Sequence, residues 1–232
     1  VPVPRVAGLT ALVGVAVLLG LGVWQVQRAA WKDGVIADRT ARLARPAVPL
    51  PSTLDDPAGW DLRPVVVVGR FDHAREMTVL KPARDGRSGY RVVTPLLRSG
   101  DGAVLVDRGW VPLDRRDPAT RAEGQIAGEV AIAGVVGLGD DPGPFTPDND
   151  PASGTWFWIE PEAMARAAGL EAPPVVVEAA ATEVPGGLPE GGQTAATLEN
   201  PHRGYALTWS ALAVALALIY LVYRRRQRSR EP

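Results

Sequence analysis

Between Val6 and Gln27 the chain carries no charged side chain, and Val6 to Val26 is almost wholly apolar. Twenty-one residues wound as a helix reach roughly 32 Å, enough to cross a hydrocarbon core of about 30 Å. A second charge-free run, nineteen residues from Tyr205 to Tyr223, is also long enough. Both runs predict transmembrane helices. A cleaved signal peptide is the rival reading of the first, but its apolar core is usually only about 7–15 residues long. No small-x-small cleavage site follows Val26 either. Helix is expected to continue past this run, because WQVQRAAWKDGVIADRTARLA (24–44) keeps apolar residues at helical spacing with no proline before Pro46. Val1 in place of Met leaves room for a short preceding segment.

After about residue 60 the period changes. PVVVVGRF (64–71), EMTVLK (76–81), GYRVVTPLL (89–97), AVLVDRGWV (103–111), GEVAIAGVVG (128–137), TWFWIE (155–160) and PVVVEA (174–179) are short, valine- and aromatic-rich, and bounded by Gly, Pro, Asp or Ser. Seven such runs predict a compact β domain, either a small barrel or a curled sheet. ARDGRSG (83–89) and RSGDG (98–102) read as hairpin links. PEAMARAA (161–168) predicts one short helix, with Pro161 at its first position and Gly169 as its stop. Residues 46–59 and 182–200, rich in Pro and Gly, read as connectors.

Charge orients this plan. The formal net charge is -1, but Arg224, Arg225, Arg226, Arg228 and Arg230 crowd the tail against Glu231 alone. The positive-inside rule keeps such a tail cytoplasmic, and two spans then place the N-terminus there too. Arg28 and Lys32 argue weakly the other way, but long loops translocate largely regardless of charge. The expected fold is a membrane protein with two transmembrane α-helices flanking one extracytoplasmic, mostly-β domain with a short helix. Its segments are 1–5 (cytoplasmic), 6–27 (first span), 28–203 (extracytoplasmic domain with linkers), 204–223 (second span) and 224–232 (basic cytoplasmic tail). Within 28–203, 19 basic residues face 25 acidic ones, a mildly acidic balance that argues against a nucleic-acid partner. With no cysteine there is no disulfide, thiolate metal site or cysteine nucleophile.

Enzyme chemistry finds little footing. There is no G-x-S-x-G elbow, and His73 is the domain's one histidine before its C-terminal edge, read as a polar residue between strands. The glycines at 128, 134, 137 and 139 make no dinucleotide fingerprint. GDDPGPFTPDND (139–150) lacks EF-hand spacing and reads as a solvated loop. Asp107-Arg108 reads first as a structural pair, with a surface pair or docking feature as alternatives.

The membrane boundaries are richer. In NPHRGYALTW (200–209), Asn200 reads as an N-cap and Pro201 as the first helical residue. His202, Tyr205, Ala206 and Trp209 recur at i, i+3, i+4 and i+7, and Trp24, Arg28 and Trp31 at i, i+4 and i+7, so each set shares a helix face at the outer surface. One reading is an aromatic belt with snorkelling cations. The other is a site between two helices: imidazole as an axial ligand, arginine for carboxylates, and indoles against a flat macrocycle.

GVWQVQRAAWK (22–32), GRFDHAREMTV (69–79), GYRVVTPL (89–96), VLVDRGWVP (104–112) and NPHRGYALTW, in this order, resemble the Surfeit-locus-one family of Shy-type cytochrome c oxidase assembly proteins. The resemblance runs from about residue 22 to 220. It implies a non-enzymatic assembly factor for aa3-type cytochrome c oxidase in a bacterial cell membrane, binding haem a and aiding its insertion into subunit I. Other oxidase subunits and haem a synthase are further partners it implies. His202 maps onto the family's candidate haem ligand, with Trp24, Arg28, Tyr205 and Trp209 as its surroundings. Gly22, Trp24, Gln25 and Arg28 match a G-x-W-Q-x-x-R element, and Arg108, Gly109, Trp110, Val111 and Pro112 an R-G-W-V-P element tied to domain packing. Pro201, where many members carry asparagine, Ser210 in place of an aromatic, and a longer glycine-rich linker (182–199) depart from the pattern. A haem-free scaffold that stabilises oxidase subunits is the alternative; an extracytoplasmic hydrolase is a distant third.

Overall fold

The computed structural model describes residues 5–83, 85–100, 102–194 and 198–229. Segment 1–4, Arg230 and Glu231 of the tail, positions 84 and 101 of the expected turns and 195–197 of the linker lie outside the described residues. In chain order the elements are α1 (Arg5–Leu43), β1 (Val48–Pro49), β2 (Pro64–Phe71), β3 (Met77–Leu80), β4 (Gly89–Arg98), β5 (Gly102–Pro112), β6 (Glu129–Gly137), α2 (Pro161–Ala167), β7 (Val176–Ala179) and α3 (His202–Arg228). They form two compact units, one spanning Arg39–Ala196 and one made of the two chain ends.

The first unit is a barrel. β2 pairs with β6, β6 with β7, β7 with β5 and β5 with β4, and β4 returns to β2 through Arg70↔Leu97 and Phe71↔Leu96. Only β5–β7 is parallel within this ring of five. β1 and β3 add to it as outer strands on β2 and β4. Closure depends on Gly69, where a Cβ would collide with the Leu97 carbonyl oxygen.

Alternation along the strands divides the apolar residues between two cores. Val65, Val67, Leu96, Val104, Val106, Val136 and Val177 cluster together. Val79, Val93, Leu105 and Val176 point the other way, onto Trp156, Ile159, Met164 and Ala165. The short helix α2 therefore covers one outer face of the barrel. It starts at Pro161 and its chain leaves through Gly169 at φ +64°, as its sequence predicts.

Two expectations change. TWFWIE (155–160) is not a strand; it touches β3 through an isolated bridge at Trp156. Three successive backbone amides are taken by side chains: Asn149 Oδ1 accepts from Phe157 and Trp158, and Asp140 Oδ2 from Ile159. Asp140 and Asn149 of the 139–150 loop are thus structural, not merely solvated. Conversely, Val48–Pro49, inside the expected connector, pairs parallel to β2.

The second unit is an antiparallel helix pair. Along α1, Gly22 lies against Ser210 and Ala206, Gly14 against Leu216 and Gly8 against Tyr220. Small residues let two helices approach closely where side-chain packing must supply the attraction. Only 6% of the apolar window of α1 and 11% of that of α3 is buried, far less than in the core helix of a soluble protein. Both are candidate membrane-spanning helices. α1 runs on unbroken past Gln27, so no structural break marks residue 28; the barrel unit begins at Arg39.

Candidate functional site

The chain enters α3 through Asn200, and one side chain does three things. Its Oδ1 accepts the His202 N–H at 3.4 Å, while its Nδ2 donates to the Ala29 carbonyl at 2.9 Å and to Asp33 Oδ1 at 2.7 Å. Pro201 is already helical (φ −75°, ψ −9°), and its carbonyl accepts from Tyr205 N–H at 3.2 Å. Regular helix begins at His202, one residue later than the sequence suggests, but the bond from the Asn200 side chain to the amide two residues on is the one expected of a cap. Asp33 also holds Arg203, Nη2 to Oδ2 at 2.7 Å. That pair is solvent-facing and contributes little by itself.

His202 is half-buried, and its Nδ1 lies 2.7 Å from Gln25 Oε1 on α1. Gln25 is 9% exposed, and its neighbours along the same face, Gly22 and Ala29, are buried as well. Facing them on α3 are His202, Ala206 and, two turns further, Ala213. The contact face of α1 is therefore 22-25-29-33, at i, i+3, i+7 and i+11.

Trp24, Arg28 and Trp31 do share a face, with the Arg28 guanidinium 3.8 Å above the Trp31 ring, a cation–π contact. That face is not the one turned to α3: Trp24 and Trp31 are each 53% exposed. On α3 the arc expected to act together also divides. His202 and Ala206 turn inward, Trp209 is half-buried, and Tyr205 is 54% exposed. The structure thus joins His202 to Gln25, and it leaves Trp24, Arg28, Trp31 and Tyr205 on outward surfaces beside them. Sequence reasoning names Gln25 only as a motif position and misses Asp33. The available signal is small and polar residues recurring at helical spacing at 22, 25, 29 and 33, with Gln25 set in the charge-free run that ends at Gln27.

His202 offers ligand chemistry in a form that suits haem iron. With Nδ1 engaged by an amide oxygen, Nε2 is the remaining donor atom, and it has no hydrogen-bond partner among the described residues. Exposed indole and phenol surfaces and the Arg28 cation lie within two helical turns on the same pair of helices. By residue type these are a donor nitrogen, a cation and aromatic surface, the chemistry that a carboxylate-bearing macrocycle calls on, but among the described residues only Gln25 is brought into hydrogen-bond contact with the His202 ring.

In the barrel, the D-R-G-W stretch of β5 is internal. Asp107 pairs with Arg91, both nearly inaccessible, and accepts the Gly109 N–H at 3.1 Å. Burial pushes the Asp107 carboxyl up to about 6 against the pull of Arg91. Arg108 turns to the other face and shares the buried Glu76 carboxylate with Arg121. Burial lowers the Arg108 guanidinium to about 10, so it stays charged at neutral pH. Trp110 exchanges two backbone bonds with Glu190, at 2.9 and 2.8 Å, under the Arg87 guanidinium. The structural reading of this motif holds. His73 sits in a 3₁₀ turn between β2 and β3, its Nε2 2.9 Å from the Ile126 carbonyl oxygen. A cavity of about 260 Å³, lined by Phe71, Arg108, Val130, Ile132, Ala133 and Val184, opens beside β6.

The profile of the SURF1 family matches residues 12–214. The chain is similar to Surfeit locus protein 1 of Homo sapiens, 40% identical over 218 residues covering 87% of this chain and 72% of that protein. The Mus musculus protein of the same name is 39% identical over 220 residues (88% and 71%). A SURF1-like protein of Monosiga brevicollis is 37% identical over 230 residues (94% and 87%).

Proposed function

The chain belongs to the SURF1 family, and from that premise we propose that it is a membrane-anchored, non-enzymatic assembly factor of aa3-type cytochrome c oxidase. It takes up haem a at the His202 end of the helix pair and hands it to oxidase subunit I. His202 would hold the iron through Nε2. Arg28 supplies a cation for a carboxylate side group, and Trp24, Tyr205 and Trp209 supply aromatic surface. Haem a, once delivered, supplies the redox chemistry of the oxidase. The observation that carries the reading is the 2.7 Å contact of His202 Nδ1 with Gln25, which leaves Nε2 as the imidazole's available donor.

The protein lies in a bacterial cell membrane with both ends cytoplasmic and the barrel outside. Arg224, Arg225, Arg226 and Arg228, following α3's apolar run, support this orientation. The test is to purify the protein from cells making haem a and compare bound haem with His202→Ala. Loss of haem or a changed spectrum is expected; unchanged content and spectrum remove His202 from the ligand role. The outward Trp24/Arg28/Trp31 face favours a second reading, a haem-free scaffold for oxidase subunits. That reading requires co-purification with those subunits and no stoichiometric haem.

A further inference from the structure

We propose that Gln25 is the positioning residue for His202: its amide oxygen accepts the hydrogen bond from Nδ1–H, fixes the imidazole as the Nδ1–H tautomer and leaves the Nε2 lone pair available for a ligand. The inference rests on the haem reading for its purpose, but its geometry stands on the helix pair alone.

An amide oxygen can only accept, so at 2.7 Å the proton belongs to Nδ1. A ligating histidine almost always has its second nitrogen fixed in this way, which sets tautomer and ring orientation together. Gln25 lies in a stretch without a single charge from Val6 to Gln27 and is 9% exposed. A polar side chain placed there faces the partner helix and needs a hydrogen bond, since an unpaired buried amide is costly. Both ends of the bond are pinned independently. Gly22, one turn before Gln25, lets α3 come close enough that a Cβ would stand 3.2 Å from Ser210 Oγ. Asn200, two residues before His202, grips the Ala29 carbonyl and Asp33 one and two turns after Gln25. A neutral amide also polarises the imidazole less than a carboxylate would, which suits cargo that must leave again.

The chain supplies its own control. It has two histidines, and His73 meets a backbone carbonyl through Nε2, so it is the opposite tautomer. The full chain, labelled with ¹⁵N-histidine and held in nanodiscs in mildly alkaline buffer, should give one Nδ1–H and one Nε2–H imidazole in long-range ¹H–¹⁵N spectra. Gln25→Leu should shift only the His202 signals, and Gln25→Glu, which keeps an acceptor, should restore the Nδ1–H form. Finding His202 as Nε2–H, or unmoved by Gln25→Leu, overturns the proposal. In a parallel titration with haem a, Gln25→Leu should weaken binding about 10- to 100-fold and change the spectrum of what remains. If His202→Ala abolishes binding while Gln25→Leu leaves it intact, the positioning role falls and the haem reading stands. If His202→Ala changes nothing, the haem reading falls, and the tautomer spectra alone decide the pairing.

Discussion

Replacing Glu76 by glutamine should destabilise the barrel more than any exposed charge change. The Glu76 carboxylate is shared by two guanidiniums, and all three side chains are at most 4% exposed. It accepts from Arg121 through both Nη atoms, from Arg108 Nη1 at 3.5 Å, and from Gln125 Nε2 at 3.4 Å. Glu76→Gln keeps the volume but leaves two buried cations facing each other. Removing one partner of a buried pair costs about 3–5 kcal/mol, and the residual like-charge contact places this site at the upper end. Neutral acceptors soften the loss: Arg121 still reaches the Arg115 and Arg116 carbonyls, and Arg108 the Gly124 carbonyl and the Phe71 ring. At about 2–4 °C per kcal/mol for a unit of this size, a cost of about 3–5 kcal/mol should lower the melting temperature by about 6–20 °C. Thermal unfolding of the full chain in nanodiscs, followed by tryptophan fluorescence, measures it. Glu162→Gln, which removes the exposed Arg166–Glu162 pair, is the control and should move the midpoint by about 1–2 °C. Adding Arg121→Met to Glu76→Gln should recover part of the loss. A Glu76→Gln midpoint no lower than that of Glu162→Gln would refute the argument that this carboxylate holds two buried charges.

Gly109→Ala should cost about 3–4 kcal/mol, because φ is +129° and the new Cβ would collide with the Glu190 carbonyl oxygen, breaking the Trp110–Glu190 pair of bonds. A lower midpoint with red-shifted tryptophan emission reports it. Asp107, raised to about 6 in the native state from an ordinary 3.8, makes the folded chain bind a proton more readily than the unfolded one between those values. Its contribution to stability is full below about pH 4 and lost as pH rises through 6. Urea midpoints from pH 4 to 7 should carry this downward component, and Asp107→Asn should remove it. With no native cysteine, Gly22→Cys paired with Ser210→Cys should cross-link on oxidation, since a Cβ at position 22 would stand 3.2 Å from Ser210 Oγ, close to disulfide reach. Val23→Cys with Ser210→Cys, a turn of about 100° away on an exposed position, should stay reduced.

Strands are readable in the sequence wherever backbone pairing follows from local pattern. PVVVVGRF matches β2 residue for residue, and the turn chemistry at 83–89 and 98–102 correctly links β3 to β4 and β4 to β5. TWFWIE misleads because its composition reports burial, which it has, while its amides are satisfied by Asn149 and Asp140 from a loop whose polarity suggests only solvation. Val48–Pro49 is too short and too proline-rich to announce itself. Local pattern does not choose between barrel and curled sheet, because ring closure hangs on two residue pairs and the missing side chain of Gly69, none of which is periodic.

The candidate site escapes sequence reasoning in a different way. Helical spacing correctly says which residues of one helix share a face, but it carries no information about which face meets the partner. Trp24, Arg28 and Trp31 are one such set, and 22-25-29-33 is another, its centre rotated by about 140° when each residue advances about 100° around the axis. In a membrane the choice between them is not made by hydrophobicity, since lipid satisfies an apolar or aromatic face as well as protein does. It is made by the groups lipid cannot satisfy and by the gaps that let backbones meet. Gln25, Asn200 and Asp33 need partners, and Gly22 provides the close approach. Applied to the sequence alone, that rule turns α1 until Gln25 meets His202 and leaves the large aromatics outside. The same logic explains where the exposed tryptophans Trp24 and Trp31 lie: they occupy the face left over once the polar clasp is closed.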